Sequence, residues 1–245
     1  MTNNKIQLSK HTYCDELFNN ITINNPLLAN QYKDFPYLVI HDFFSQELCK
    51  EIVDSSKQIK EIKMAKVKAH IVKGIVIPKV NQNFRKTNIL EWSDYFKSIY
   101  QNQFIHFQEK IENYFNAPLA NSTEVQMLQY TKGFYYIKHA DDSSEIIDKN
   151  KNTIGFKNVA PRRKLTTILF TTTCDNKITS DYHFSGGELL FNYLFDKGNN
   201  QIKFKAKAGD MIVFPSNPYF SHEVLTVESG YRLTLVQWHD TINSH

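Results

Sequence analysis

Short apolar segments separated by turn residues fill the C-terminal half of the chain, from Glu124 onward. Within these segments apolar and polar side chains alternate as in β-strands, and their spacing favours a sandwich or barrel over βαβ units. We predict strands near residues 124–130, 134–140, 165–172, 187–192, 202–206, 210–214, 221–227 and 231–238. Eight antiparallel strands can close a jelly roll, which is a double-stranded β-helix whose mouth holds a ligand.

The N-terminal half shows helical periodicity instead. Ser45 is a candidate N-cap for an amphipathic helix that follows the strand PYLVIHDFF, and Ser93 is a candidate N-cap for a long helix from about Asp94 to Phe115. An aromatic stripe on the long helix predicts that it packs across the outside of a sheet. We therefore expect a mostly β protein of the α+β class, with the N-terminal helices packed on the outside. Its expected parts are a loosely attached polar lead-in (1–34) and one domain (35–240) made of a helical flank (35–120) and a jelly-roll core (121–240).

One predicted strand carries an imidazole and a carboxylate side by side. In LQYTKGFYYIKHADD, alternation makes His139 and Asp141 project from the same face. Far downstream, His222 precedes an apolar run, and Arg232 follows on what we expect to be the next strand of a hairpin turned at Glu228-Ser229-Gly230. Two imidazoles and one carboxylate can occupy one face of an octahedral Fe(II) and leave the opposite face open. The arginine supplies the fork that a carboxylate requires.

Composition narrows the class of protein and its compartment. The 245 residues are 41% hydrophobic, which suits one large globular domain. The formal charge of +4 comes mostly from scattered lysines, so a nucleic-acid partner is not indicated. The three cysteines form no CxxC pair, and the chain has neither an apolar leader nor an apolar run of membrane length. We therefore expect a soluble, cytoplasmic protein without a membrane partner, and the composition leaves its oligomeric state open.

Further motifs surround the candidate ligands in a characteristic order. They are Tyr130, Gly133 and Tyr136 ahead of the His-Asp pair, Arg163 before LTTILFTTT, Gly186-Gly187-Glu188-Leu189, Gly209-Asp210 leading to Pro215, His222-Glu223-Val224, and Trp238 after Arg232. In this order the chain resembles the Fe(II)/2-oxoglutarate-dependent dioxygenases, specifically the prolyl 4-hydroxylase-like branch. The resemblance covers roughly residues 35 to 240, so it implies a single dioxygenase domain there.

The resemblance implies roles for individual residues. His139, Asp141 and His222 would hold Fe(II) and form the catalytic centre. Arg232 would pair with the distal carboxylate of 2-oxoglutarate, and Tyr130 and Thr234 would add hydrogen bonds to this co-substrate. O2 would be the second co-substrate, and ascorbate is an additional candidate cofactor. The substrate-side candidates are Arg163, Trp238 and Tyr136, and Tyr136 could equally be a core residue.

Some positions compete with these assignments or depart from the family. His183 and His239 are rival ligands that we expect to face solvent, and alternation turns Asp142 to the opposite face from Asp141. Where some prolyl hydroxylases carry another tyrosine, this chain offers Ile168 or Phe170. The polar segment 142–161 is interpreted as a loop too long for a simple hairpin, and it is a candidate lid or substrate clamp.

The expected reaction is hydroxylation of an unactivated C–H bond on a peptidyl residue such as proline, with release of succinate and CO2. A peptide or protein would then be the partner. Hydroxylation of a free amino acid or a small peptide natural product remains open, since a fold does not fix a substrate. A catalytically silent jelly-roll binding module and a nucleic-acid demethylase that uses the same iron chemistry also stay open as hypotheses.

Overall fold

The computed structural model describes residues 5–17, 27, 30–65, 67–68, 78–79, 84–150 and 152–242. Its helices are α1 (Gln46–Lys57) and α2 (Asp94–Phe115), and both begin at the predicted caps. The Ser45 hydroxyl accepts a hydrogen bond from the Leu48 amide at 3.2 Å, and Ser93 accepts one from Phe96 at 3.4 Å. Each cap satisfies an amide that the helix itself leaves without a partner. None of the helices in the described part of the chain is long and apolar enough to cross a membrane.

Most of the regular structure is β. The strands are β1 (Lys5–Gln7), β2 (Tyr13–Asp15), β3 (Leu38–Ile40), β4 (Ile62–Met64), β5 (Val67–Lys68), β6 (Pro78–Lys79), β7 (Arg85–Lys86), β8 (Asn88–Leu90), β9 (Leu119–Ser122), β10 (Gln126–Tyr130), β11 (Tyr135–His139), β12 (Ser143–Ile147), β13 (Thr153–Asn158), β14 (Leu165–Phe170), β15 (Thr173–Cys174), β16 (His183–Gly186), β17 (Leu189–Phe195), β18 (Gln201–Phe204), β19 (Met211–Pro215), β20 (His222–Val224), β21 (Val227–Gly230) and β22 (Arg232–Thr241).

Two large sheets dominate the fold. An eight-stranded sheet has the order β3-β19-β14-β22-β10-β8-β4, with β9 added beside β22. A seven-stranded sheet has the order β1-β2-β17-β20-β11-β7, with β18 added beside β17. Three smaller sheets join β12 to β13, β5 to β6, and β15 to β16 to β21.

The eight-stranded sheet is buried on both faces. Ile168, Phe170 and Ile212 point from its inner face into a core shared with Phe191 of the seven-stranded sheet. The outer face packs against residues of α1 and α2. The members of the outer core include Leu165, Leu169, Met211, Val213, Leu233, Leu235, Ile52, Val53, Phe96, Tyr100, Phe104 and Ile111. The helices therefore lie outside the sheets, as the aromatic stripe predicts.

The predicted hairpin between His222 and Arg232 is wrong. Strand β20 lies in the seven-stranded sheet between β11 and β17, whereas β22 lies in the eight-stranded sheet between β14 and β10. Between them, β21 pairs with β16, and Gly230 has a φ of +81° where a Cβ atom would lie 2.2 Å from the His183 carbonyl oxygen. The glycine therefore marks a crossing between sheets and not a hairpin turn. His222 and Arg232 consequently lie on strands of two different sheets.

The segment 142–161 is a hairpin, so its interpretation as a loop is wrong. Strands β12 and β13 pair antiparallel, and Asp148 closes the turn by accepting the Asn150 and Asn152 amides, each at 2.8 Å. Lys138 ties this hairpin to the seven-stranded sheet, because its Nζ lies 2.7 Å from Glu145 Oε1 and 3.0 Å from the Tyr193 hydroxyl. A lid function for the hairpin stays a prediction.

Part of the expected lead-in belongs to the seven-stranded sheet. Strand β1 pairs with β2, and β2 pairs with β17 at Cys14 and Leu194, where Cys14 is fully buried. The expectation of loose attachment is therefore wrong for residues 5–17. Residues 1–4, 18–26 and 28–29 lie outside the described residues.

Candidate metal centre

Three potential metal ligands converge where β11 and β20 pair. His139 and His222 are directly opposite each other in this pairing, and Asp141 follows β11. The Nε2 atom of His139 lies 3.7 Å from Asp141 Oδ1, and the Nε2 atom of His222 lies 3.9 Å from Asp141 Oδ2. One ligand atom from each residue can be chosen such that all lie within 4.8 Å of one another. The sheet pairing thus brings together residues that are far apart in sequence.

Backbone carbonyls fix the orientation of both imidazoles. The Nδ1 atom of His139 lies 2.9 Å from the Ile137 oxygen, and Nδ1 of His222 lies 2.9 Å from the Phe220 oxygen. A carbonyl oxygen only accepts, so each Nδ1 must carry the hydrogen and each neutral ring has its lone pair at Nε2. Burial lowers the pKa of His139 to about 3, which keeps this ring neutral at physiological pH. Both rings therefore present Nε2 as a metal ligand.

Asp141 is held as a carboxylate. Burial by itself raises its pKa, but the two imidazoles, the Thr166 hydroxyl and the Arg163 charge outweigh burial, and the pKa lies below its ordinary value. Thr166 donates its hydroxyl hydrogen to Asp141 Oδ2 at 2.7 Å, and its oxygen lies 2.8 Å from the Ser216 hydroxyl. Two neutral imidazole nitrogens and one anionic oxygen are the donor set that suits Fe(II) in a facial site. The residues present therefore fit this metal.

Arg232 is a buried cation near the metal-ligand group's sheet, and no acidic partner is found for it in the described part of the chain. It is 1% exposed and points from the inner face of the eight-stranded sheet, where its Nε donates to the Gly187 oxygen at 2.9 Å. Its guanidinium carbon lies 4.7 Å from the centre of the Tyr130 ring and 5.3 Å from that of Phe170. Among the described residues it forms no salt bridge. A buried guanidinium in this state is suited to bind a carboxylate from outside the protein.

Two hydroxyl groups share the inner face with Arg232. Tyr130 is the direct neighbour of Arg232 in the pairing of β10 with β22, and Thr234 is two residues along β22. Both side chains are buried. Each can donate a hydrogen bond to an anion held by Arg232.

The three substrate-side candidates lie beside the metal ligands. The Tyr136 ring stacks on His139, with ring centres 3.6 Å apart and an interplanar angle of 16°. Arg163 donates from Nη1 to the Asp141 backbone oxygen at 3.4 Å, and its guanidinium carbon lies 3.9 Å from the centre of the Trp238 ring. Burial raises the pKa of Tyr136 to about 12, and the nearby charge of Asp141 adds to this effect. Tyr136 therefore contacts the site and is not a remote core residue.

The rival ligands lie away from the metal-ligand group. His183 is in β16, with Nδ1 2.7 Å from the Ser180 hydroxyl. His239 was expected to face solvent, but this is wrong because β22 continues to Thr241 and carries His239 into the outer core. There its ring stacks on Phe104 at 4.8 Å, and its nitrogens contact the hydroxyls of Ser122 at 2.7 Å and Thr167 at 3.0 Å. Burial lowers the pKa of His239 to about 3, so it is a neutral structural residue.

The structure also shows the surroundings of Asp142 and of Ile168 and Phe170, the two positions where some prolyl hydroxylases carry a tyrosine. Asp142 is buried outside the metal-ligand group, where its Oδ2 accepts from Asn158 at 3.4 Å. Ile168 and Phe170 both lie in the inner core, so no hydroxyl replaces the absent tyrosine at these positions. Phe170 instead lies near the guanidinium of Arg232.

Sequence reasoning missed two residues at the site. Thr166 is two positions before Ile168 on the inner face of β14, and strand alternation could have identified it. Arg85 lies in β7, which pairs with β11, and its guanidinium carbon is 4.6 Å from the centre of the Tyr136 ring. The stretch NQNFRKTN around it is typical of a loop, so no sequence signal placed this arginine at the site.

Replacement of Thr166 by valine is expected to weaken Fe(II) binding by about 10- to 100-fold, because Asp141 loses the donor that orients it. Anaerobic Fe(II) titration followed by calorimetry measures this change. Thr167→Val is the matched control, since Thr167 is buried in the same strand but its hydroxyl contacts His239 on the outer face. Equal weakening in both variants would contradict a specific role for Thr166.

Comparison with known proteins agrees with this geometry. Residues 125–240 match the family model of the 2OG-Fe(II) oxygenase superfamily. A protein of Acanthamoeba polyphaga mimivirus, provisionally named a prolyl 4-hydroxylase, is 25% identical over an alignment of 236 residues, and the match covers 92% of this chain and 86% of the viral protein.

Solved structures share the fold. A Pseudomonas putida prolyl-4-hydroxylase aligns with a TM-score of 0.53 and 17% identity, over 84% of this chain and 93% of that chain. A Trichoplax adhaerens prolyl hydroxylase, in complex with a peptide fragment of the oxygen degradation domain of hypoxia inducible factor, aligns with a TM-score of 0.53 and 14% identity, over 83% of each chain. The predicted jelly-roll fold class is confirmed.

Proposed function

We propose that this protein is an enzyme that hydroxylates an unactivated C–H bond on a peptidyl residue such as proline and releases succinate and CO2. Residues 125–240, which match the family model of the 2OG-Fe(II) oxygenase superfamily, support the proposal. The observation that carries the proposal is the convergence of His139, Asp141 and His222 within 4.8 Å. Arg232, a buried guanidinium that forms no salt bridge among the described residues, adds the means to bind a dicarboxylate.

We assign each residue a task in this reaction. His139, Asp141 and His222 hold Fe(II). When Fe(II) and 2-oxoglutarate are bound, they would together activate O2. Arg232 binds the distal carboxylate of 2-oxoglutarate, and the Tyr130 and Thr234 hydroxyls donate to the same group.

The protein also keeps water away from the reacting atoms. Phe191 and Phe214 pack edge-on against the His222 ring, with ring centres 6.2 and 5.0 Å away. The Tyr136 ring in turn covers His139. These aromatic walls lower the local polarity and strengthen the electrostatic interactions inside the site.

The choice of a peptide substrate rests on two relatives. The mimivirus protein carries a prolyl hydroxylase name, and the Trichoplax adhaerens structure holds a peptide. We extend that substrate class to this chain as part of the proposal, with a single domain over 35–240 as the catalytic unit.

Anaerobic titration with Fe(II) and then 2-oxoglutarate tests the metal and co-substrate assignment. We expect a visible metal-to-ligand charge-transfer band once both are bound, and succinate release after admission of O2 with a proline-containing peptide. Absence of the band would refute the oxygenase assignment. A band without succinate release from any peptide or amino acid would instead favour a catalytically silent binding module.

A further inference from the structure

Two more arginines flank the metal ligands, in addition to Arg232. Arg85 is 8% exposed, and its guanidinium lies over the Tyr136 ring, which itself stacks on His139. Arg163 is half-buried, and its guanidinium reaches both the Trp238 ring and the Asp141 backbone oxygen. Arg163 therefore contacts the backbone of the metal-ligand residue Asp141, and Arg85 is separated from His139 by one aromatic ring.

Neither arginine forms a salt bridge in the described part of the chain. All 25 Asp and Glu residues of the chain are among the described residues. Arg85 and Arg163 form a salt bridge with none of them. The Nε atom of Arg85 is buried without a hydrogen-bond partner. By contrast, Lys138, the half-buried cation beside the same site, is paired with Glu145 at 2.7 Å.

Such an arrangement is costly unless an anion completes it. A buried charge without a counter-charge is strongly unfavourable, and contact with an aromatic face offsets only part of this cost. Arg232 has an anionic partner in the proposed co-substrate. Arg85 forms no salt bridge among the described residues, and Asp141, whose backbone oxygen Arg163 contacts, has its carboxylate assigned to the proposed metal.

We propose that the substrate of this site carries a carboxylate close to the reacting carbon, and that Arg85 and Arg163 bind this carboxylate. The proposal rests on the proposed hydroxylation and narrows its substrate class. The carboxylate can be an acidic side chain next to the target residue in a peptide, or the α-carboxylate of a C-terminal or free amino acid. Both present the planar pair of oxygens that a guanidinium fork binds.

A panel of matched probes tests the proposal on the Fe(II)- and 2-oxoglutarate-loaded protein under anaerobic conditions. The probes are Ac-Ala-Ala-Pro-Ala-Ala-NH2, the same peptide with Glu after Pro, Ac-Ala-Ala-Pro with a free carboxylate, its C-terminal amide, and L-proline with L-prolinamide as its neutral counterpart. Calorimetry is expected to show at least about 10-fold tighter binding of a carboxylate-bearing probe than of its neutral counterpart. The preferred acidic probe identifies the source of the carboxylate.

Variants assign the preference to the two arginines. Arg163→Gln is expected to remove the preference for the acidic probe, and Arg85→Gln is expected to do the same. If Arg85→Gln does not fold, Arg85→Lys replaces it as a variant that retains the charge. Arg162→Gln is the matched control, because Arg162 is the exposed neighbour of Arg163 and should leave the preference unchanged.

Two results would overturn the proposal. One is equal binding, or no binding, of the acidic and neutral probes by the wild-type protein. The other is an undiminished preference in Arg163→Gln. The charge-transfer band is recorded in every sample, so an intact band with no acidic preference would reject the anionic substrate alone, whereas a missing band would reject the oxygenase function.

Discussion

Asp141→Ala is expected to lower Fe(II) affinity by at least about 100-fold and to abolish the charge-transfer band with 2-oxoglutarate. Loss of an outer contact to a metal ligand already costs about 10- to 100-fold. Asp141 is the only anionic member of the metal-ligand group in the described structure, and its oxygens lie between both imidazoles. Without it, two neutral nitrogens remain, and they do not offset the loss of hydration of a divalent cation. Anaerobic Fe(II) titration of wild type and variant measures the effect.

Neighbouring residues provide the controls for this prediction. Asp142→Asn changes the adjacent buried carboxylate, which lies outside the metal-ligand group, and His183→Ala removes a histidine whose ring contacts Ser180. Both variants should retain the band. If Asp142→Asn lost Fe(II) binding and Asp141→Ala kept it, the metal would be assigned to the wrong carboxylate.

Much of the fold is predictable because it depends on local patterns. The caps at Ser45 and Ser93 and the strand that carries His139 follow from side-chain preference and alternation, which act over a few residues. The same alternation places Thr234 on the face of Arg232, as the structure has it. These features need no knowledge of what each strand pairs with.

Strand pairing is where sequence reasoning failed. The run after His222 alternates like one arm of a hairpin, yet β20 and β22 belong to different sheets. Alternation indicates that a strand has one buried face, but it does not indicate which strand is its neighbour. The hairpin Ser143–Asn158 was missed for a related reason, because its exposed isoleucines and polar residues lack a clear buried face. Arg85 was missed because its position depends entirely on the pairing of β7 with β11.

The crossing between sheets has a functional consequence. The metal ligands are positioned by β11 and β20 of the seven-stranded sheet, whereas Arg232 is positioned by β22 of the eight-stranded sheet. The proposed metal and co-substrate contacts thus come from opposite walls of the inner core. A substitution at Arg232 should therefore affect co-substrate binding without disturbing the metal ligands, whereas Thr166, on the same sheet as Arg232, contacts Asp141 and should affect the metal.

Arg232→Met is expected to weaken 2-oxoglutarate binding by about 30- to 5,000-fold, which corresponds to the 2 to 5 kcal/mol typical for truncating one partner of a buried charge pair. Methionine retains an unbranched side chain among Tyr130, Phe170 and Phe184 but removes the guanidinium. Fe(II) binding without co-substrate should stay within about threefold of wild type, because the backbone carbonyls that hold His139 and His222 belong to Ile137 of β11 and to Phe220 just before β20, away from Arg232 on β22. Calorimetric titration of the Fe(II)-loaded protein with 2-oxoglutarate measures the first effect.

A co-substrate without the distal carboxylate separates charge recognition from packing. 2-Oxobutanoate can chelate a metal but offers nothing for Arg232 to bind, so the wild-type protein should strongly prefer 2-oxoglutarate, and Arg232→Met should lose most of that preference. Arg162→Gln should preserve it. If Arg232→Met weakened the binding of both co-substrates equally, the arginine would act through the shape of the inner core. If the variant also weakened Fe(II) binding, the metal and co-substrate contacts would not be independent.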